Sequence, residues 1–370
     1  MMRSLISVGA LMAAFAQPIL AQPQPLALPK PLAETWAKEK HGLGWVGKKR
    51  DNGTIDFRYV TEEFEPGSAI PAFDLMYPTR LERLAKLPHP SQPFGIKLYL
   101  EKSDGPILAE LKAFKHLTRI VTYGCPIDED VLLKALAEMP QLEELQLNES
   151  KISNKGLEAL ARLKNLKKLG LRGTKITDAG IPALAAFEKL EHLELGVNLQ
   201  ITDKGAPAIA KLKSLRYLDL HLTRVLDEGM KSIATMDHLR GLYFMNTRST
   251  AKGLKALGAL KDLERFQIDG HAVNPDTVAA VVGMKKLKYL NLNIAHSDKT
   301  SAGDAEFKEL GALKDIEELR VLGWQITDAS LPVIRGFANL RFIDLTYTKI
   351  KRASAEQLQK ELPRCRVFLP

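Results

Sequence analysis

The strongest constraint on this chain is that its sequence repeats. LEELQLNESKISNKGLEALARL begins at Leu142, and LKKLGLRGTKITDAGIPALAAF begins 24 residues later at Leu166. LEHLELGVNLQITDKGAPAIAKL follows from Leu190, LRYLDLHLTRVLDEGMKSIATM from Leu215 and LRGLYFMNTRSTAKGLKALGAL from Leu239. Weaker copies start at Leu263, Leu287, Ile316 and Leu340, and two more precede the clear ones, at Pro93 and Leu117. The eleven copies are 24 or 25 residues apart, except for a 29-residue step from Leu287 to Ile316. A fixed period of this size means that each copy is one supersecondary unit, stacked on its neighbours because it cannot bury its apolar face alone.

The pattern inside a copy says what the unit is. Counting the first apolar residue as position 0, apolar residues at 0, 3 and 5 (Leu166, Leu169, Leu171) end in a short alternating strand with one buried face. Position 10 is an inward Ile or Val: Ile152, Ile176, Val225, Ile326, Ile350. Apolar residues then recur every three or four positions, as in Ile181, Leu184 and Phe187, which is one stripe of a helix. Position 8 holds a small hydrogen-bonding residue in most copies (Ser150, Thr174, Asn198, Thr223, Thr247, Thr348), suited to satisfying backbone groups in the turn after the strand. Cys125 occupies the same position, which reads as structural. Cys125 and Cys365 stand ten strand steps apart, at about 4.8 Å per step, far beyond disulfide reach, so both are expected unpaired.

Ile-Thr-Asp recurs at 176–178, 201–203 and 326–328. Repeated acids invite a metal or acid–base reading. Their place at the start of each helix instead predicts that Thr or Asp caps free N–H groups at the positive helix end.

The LxxLxL…ITDxGLxxLxxL pattern resembles the leucine-rich repeats of the ribonuclease-inhibitor and cysteine-containing classes, as in exported bacterial repeat proteins. The resemblance runs from about residue 93 onward. It implies an α/β solenoid, a horseshoe with a parallel sheet on its concave side and helices outside, whose common trade is protein binding. The ending ELPRCRVFLP resembles the half-repeat that closes such arrays, which would place Cys365 in a cap. Similar repeats form the substrate-recognition part of F-box proteins, but no F-box segment is evident here.

The amino-terminal residues differ from the rest. Arg3 precedes an apolar run at residues 5–16, too short to span a bilayer, and Ala21 closes a cleavage site ahead of Gln22. Ala14-Phe15-Ala16 offers a second cut. Residues 1–21 therefore read as a secretory signal, which predicts a secreted or periplasmic protein with no membrane span after cleavage. Residues 22–92 read as a Pro- and Gln-rich linker followed by an aromatic region that caps the first repeat, and residues 93–370 as the repeat domain. Within the cap, Asn52-Gly53 marks a hairpin turn and LERLAKL from Leu81 a helical turn.

No HExxH, GxSxG, phosphate-binding glycine loop or CxxC pair is present. The expectation is a protein that is not an enzyme and holds no cofactor or metal. Formal net charge is +9, which raises nucleic acid or another anionic polymer as a partner. Location argues otherwise. The outward strand residues include six basic (Lys97, Arg119, Lys168, Arg172, Arg265, Arg320) and six acidic ones (Glu144, Glu194, Asp219, Asp269, Glu318, Asp344). The surplus falls on helices and loops, as at Lys164, Lys213, Lys252 and Lys255. A phosphate-tracking surface gathers its charge along one stripe, so nucleic acid is not the expected partner. Five of eight tyrosines do gather on the outward strand positions: Tyr99, Tyr123, Tyr217, Tyr243 and Tyr289. The candidate partner-binding residues are Tyr217, Asp219, His221, Tyr243, Met245, Arg265, Asp269, Tyr289, Asn291 and Asn293, an aromatic, Met and Arg patch with polar neighbours. The loop at residues 294–300 is a second candidate. The reading is an exported module that grips another protein. The alternatives are an envelope-associated protein holding anionic polymer through basic helices, or an F-box-like recognition role.

Overall fold

The computed structural model describes residues 42–46, 57–59, 70–75, 88–98, 100, 102–245, 250–269, 273–294 and 302–368. Residues 1–41, with the signal and linker readings, lie outside them, as do the Asn52-Gly53 turn, LERLAKL, Tyr99 and residues 295–300.

Within each copy the apolar 0/3/5 pattern gives a strand, a turn follows, and a helical segment returns the chain. Among the described residues the strands form one 15-stranded sheet. β1 (Gly42–Val46) and β2 (Phe57–Tyr59) pair antiparallel. β1 also pairs antiparallel with β3 (Ile70–Leu75). From β3 onward the order is the chain order and every pairing is parallel. The series is β4 (Phe94–Leu98), β5 (Leu117–Tyr123), β6 (Glu144–Asn148), β7 (Lys168–Gly170), β8 (His192–Glu194), β9 (Tyr217–Asp219), β10 (Gly241–Phe244), β11 (Arg265–Asp269), β12 (Tyr289–Asn293), β13 (Glu318–Arg320), β14 (Phe342–Asp344) and β15 (Arg366–Phe368). One strand thus lies in each copy read from the sequence, with β3 before them and β15 closing the series.

The inward leucines and the helix stripes form a single core running from Phe73 to Val367. Ile152, Ile176, Val225, Ile326 and Ile350 are buried in it, at the tenth position where the pattern puts them. Position 8 satisfies backbone in several copies but not at Ser150, whose buried Oγ has no partner among the described residues: Thr174 and Thr223 donate to the carbonyls of Leu171 (3.0 Å) and Leu220 (2.7 Å). Asn198 donates to its own Leu195 (2.9 Å) and to Leu171 of the preceding copy (2.8 Å). Cys125 and Cys365 are buried free thiols. Burial pushes both above the ordinary cysteine value, Cys365 to about 11, so neither is a ready thiolate.

Position 7 holds a left-handed residue in seven copies. Glycine fills it at Gly124, Gly173 and Gly323, but Glu149 (φ 59°), Val197 (61°), Leu222 (50°) and Tyr347 (59°) take the same conformation. For a β-branched residue such as Val197 this backbone is costly.

The Ile-Thr-Asp reading needs one correction. Threonine caps its own helical turn at Thr327, which accepts from Ala329 N (3.2 Å), and Thr202 accepts in the same way from Lys204 N (3.2 Å) in the turn ahead of its helix. Aspartate instead caps the next copy: Asp178 accepts from the N–H (2.8 Å) and hydroxyl (2.6 Å) of Thr202. Where the next cap residue is Leu226, which has no side-chain oxygen, Asp203 supplies the cap itself, accepting from Leu226 N (2.6 Å) and Gly229 N (2.9 Å). Copies stacked about 5 Å apart put the first helical side chain of one beside the helix start of the next.

Candidate functional site

The face of the sheet turned away from the helices carries three rows of side chains, set by the register. One row runs Glu144, Lys168, His192, Tyr217, Gly241, Arg265, Tyr289, Glu318, Phe342. The second runs Gln146, Gly170, Glu194, Asp219, Tyr243, Gln267, Asn291, Arg320, Asp344. Asn148, Arg172, Gly196, His221, Met245, Asp269 and Asn293 follow two residues further on. The candidate residues therefore come together on β9 to β12 and the turns that leave them. The described residues say nothing of the Asp269 or Tyr123 side chains.

Alternation gives the direction of these side chains, but not their exposure. Tyr243 (6% exposed), Tyr289 (2%) and Asn291 (4%) are buried, while Tyr217, Asp219, His221, Met245, Arg265 and Asn293 are half-buried. Strands only about 4.8 Å apart bring neighbouring side chains of a row over one another and cover the larger members. Three outward glycines make room for this. A Cβ at Gly241 would overlap the Tyr217 ring, one at Gly196 the His221 imidazole, and one at Gly170 the Gln146 amide. Gln146 crosses Gly170 to donate to Glu194 two strands on (3.3 Å).

Local pairing is dense. His192 and Tyr217 stack at 4.2 Å between centroids. Asp219 accepts from His221 N (3.0 Å) and contacts its Nδ1 at 2.6 Å. Arg265 lies 4.7 Å over the Tyr289 ring and hydrogen-bonds Tyr243. Tyr289 donates to Gln267 Oε1 (3.4 Å), and the Gln267 amide contacts Met245 Sδ. Asn293 accepts from Leu322 N (3.3 Å). Burial pushes the hydroxyls of Tyr217, Tyr243 and Tyr289 above the ordinary tyrosine value. These phenols are neutral donors at physiological pH, not anions.

Beside this patch position 7 is apolar at Val197 (41% exposed) and Leu222 (37%), and Leu199 (52%), two residues beyond Val197, stands in solvent with them. Sequence reasoning passed over them because it assigned that position to a turn. Leucine and valine where other copies carry glycine were the available signal.

The surplus lysines have local work. Lys164 donates to Ala186 O (3.2 Å), Lys261 to Gly258 O (2.6 Å) and Lys314 to Gly311 O (2.7 Å), at the negative ends of helical segments. Along the strand entry Lys167–Glu143 (3.0 Å), Lys288–Glu264 (3.7 Å) and Arg341–Glu317 (3.7 Å) pair across copies. Among the described residues no group of three or more His, Cys, Asp or Glu could hold a metal ion, and no helix is long and apolar enough to cross a membrane.

No curated protein matches the chain in sequence. Two solved structures from Listeria monocytogenes are similar. An internalin C2 is 24% identical, with 59% of this chain and 84% of that one covered, at a TM-score of 0.43. A second internalin is 20% identical, with 70% and 82% covered, also at 0.43. A family model described as Leucine Rich repeat matches residues 139–161 and 211–234. Those two stretches are the same strand, turn and helix that recur along the whole parallel sheet, and the chain is a leucine-rich-repeat protein.

Proposed function

We propose that this protein is an exported protein-binding module that grips its partner on the open face of the sheet around Tyr217, Asp219, His221, Tyr243, Met245, Arg265, Asp269, Tyr289, Asn291 and Asn293. It performs no catalysis in this reading. Residues 1–21 direct export, and residues 22–92 tether and cap the repeats.

The observation that carries the reading is the apolar rim. Val197 and Leu222 hold large side chains in solvent from left-handed backbone, a conformation that glycine would adopt without strain. Together with Leu199 they border His221 and Met245, so apolar area sits beside half-buried Tyr and Arg groups, the composition of a protein-binding surface. Tyr243 and Tyr289 serve as the rigid floor under Tyr217 and Arg265.

The test is capture from envelope and secreted fractions by the full chain and by a Tyr217→Ala, Leu199→Ser, Leu222→Ser variant, at low and high salt. We expect one discrete protein, retained at high salt and lost by the variant. Equal capture by both, released by salt, would move the working surface to the basic helices.

A further inference from the structure

The charges of the open face balance in number but not in partners. Glu144 lies between Lys168 (3.0 Å) and Arg119 (3.7 Å). Glu194 accepts from Gln146, Asp219 from His221, and Asp344 from the N–H (3.0 Å) and hydroxyl (2.5 Å) of Thr346. Arg265 has Tyr243 and Tyr289. Two cations are left over. Arg172 and Arg320 each bury Nε with no acceptor, and neither has an acidic side chain within ion-pair distance among the described residues. Arg320 is held in place, its guanidinium 4.7 Å over the Phe342 ring.

A buried guanidinium nitrogen without an acceptor is costly, and an oxygen anion supplies what is missing, two parallel bonds at once when it is a carboxylate. We propose that the open face takes an extended acidic segment of a partner protein, one carboxylate on Arg172 and a second on Arg320. This rests on the protein-binding reading above and names the chemistry of its partner. A continuous phosphate or sulfate chain fits less well, because Glu194 and Asp219 lie on β8 and β9, strands between the two arginines, and would repel its intermediate charges. A peptide can carry acid at two points only, with apolar residues between them for Tyr217 and the Val197–Leu222 rim. Arg172 and Arg320 are six strand steps apart, roughly 29 Å at about 4.8 Å per step, or about nine residues of extended chain.

The test is a displayed library of random 16-residue peptides selected on the full chain, with affinities of the chosen peptides measured for Arg172→Gln, Arg320→Gln, Arg320→Lys and Arg162→Gln. The last changes an exposed arginine away from the open face. The expected result is enrichment of Asp or Glu at two positions about nine apart. Each open-face Gln variant should bind at least about tenfold more weakly, and Arg162→Gln unchanged. Arg320→Lys keeps the charge but loses the fork and the ring contact, so it tests the site even if Arg320→Gln folds poorly; it should fall between. Peptides that depend on Leu222 but show no acid preference and no arginine dependence overturn this proposal and leave the protein-binding reading standing. A library with no Leu222-dependent binder overturns both. Arginine-dependent binding of long-chain polyphosphate or heparin, tighter than any peptide, overturns the choice of a protein ligand.

Discussion

Two stretches of this solenoid are joined differently on their helical side. From Glu129 to Asp227 the first helical residue of each copy reaches the cap of the next. Glu129 accepts from Ser153 N (2.6 Å), Asn154 from Thr177 N (2.9 Å), and Asp227 from Thr250 N (2.8 Å). Asp304 and Asp328 resume the series at Thr327 (2.9 Å) and Lys351 (3.0 Å). Between them the position falls to Ala251 and then Pro275, which offer no side-chain oxygen. Caps there are made locally: Asn274 with Thr277 in a capping box, and Gly303 N to Glu306 (2.8 Å). The sheet side varies differently. β7, β8 and β9 pair over three residues, whereas β10 and β11 pair over four and β11 and β12 over five, as β5 and β6 also do. In a quasi-one-dimensional array, stability is set by such neighbour terms. These two joints are loosened at the helices and tightened at the strands, under the copies that carry Tyr243, Arg265, Tyr289 and Asn291. The candidate face therefore has a firm sheet on a less constrained backing.

The largest expected effect is one that should not differ between the stretches. Leu193→Ala and Leu290→Ala each remove a side chain at most 1% exposed from the shared core. Each should cost about 2–5 kcal/mol in urea unfolding. A cost at Leu290 less than half that at Leu193 would mean that the stretches differ in packing rather than in caps.

Next comes the cross-copy cap. Among the described residues Asp203 is the only side-chain acceptor at the start of the helix Asp227–Ile233, whose own cap residue is Leu226. Asp203→Ala should cost about 1–2 kcal/mol. Asp276→Ala, in the first turn of the locally capped helix and exposed, should stay within about 0.5 kcal/mol. Equal costs would erase the distinction.

Acid should narrow the difference. Burial raises the carboxyls of Asp227 and Asp304, but hydrogen bonds from Thr250 and Gly253, and from Thr327 and Ser330, outweigh it and hold both below the ordinary aspartate value. A lowered carboxyl contributes fully above its unfolded value, near about 3.9, and the contribution is lost as pH falls through the folded one. Amide exchange should show protection at Thr250 and Thr327 declining below about pH 4, with Thr277 comparatively steady. Parallel decline at all three would locate the acid response elsewhere.

The strands and the core were legible because a strand's period of two and a helix's of 3.6 are written directly into each copy. What escaped depends on the spacing between copies. No offset within a copy says that Asp178 serves Thr202 and not its own helix. The alternation at Tyr243 and Tyr289 gave a direction, while their burial follows from rows packed side by side. Trp324 shows the same limit. It occupies position 8, where Thr or Asn was expected, and its indole N–H donates to Leu292 O of the preceding copy (2.7 Å), the task Asn198 performs for Leu171. The unpaired Nε of Arg172 and Arg320 is likewise a matter of distances, which a balanced count of charges conceals.

The smallest effect tests the comparison most directly. Ala251→Asp places a carboxylate where Asp227 has one, beside the start of the helix Pro275–Val282. Asn274 N now donates to Thr277 Oγ1 at 3.4 Å, a long bond that a carboxylate should improve on. The expected gain is about 0.5–1 kcal/mol. Removing the local partner makes the reading sharper. Thr277→Ala should destabilise the natural chain more than it destabilises the Ala251→Asp chain, because the new acceptor takes over the orphaned N–H. Additive costs in that double-mutant cycle would mean that the introduced carboxylate does not reach the next copy, and that the joint at Asn274 is closed by geometry other than the missing acid.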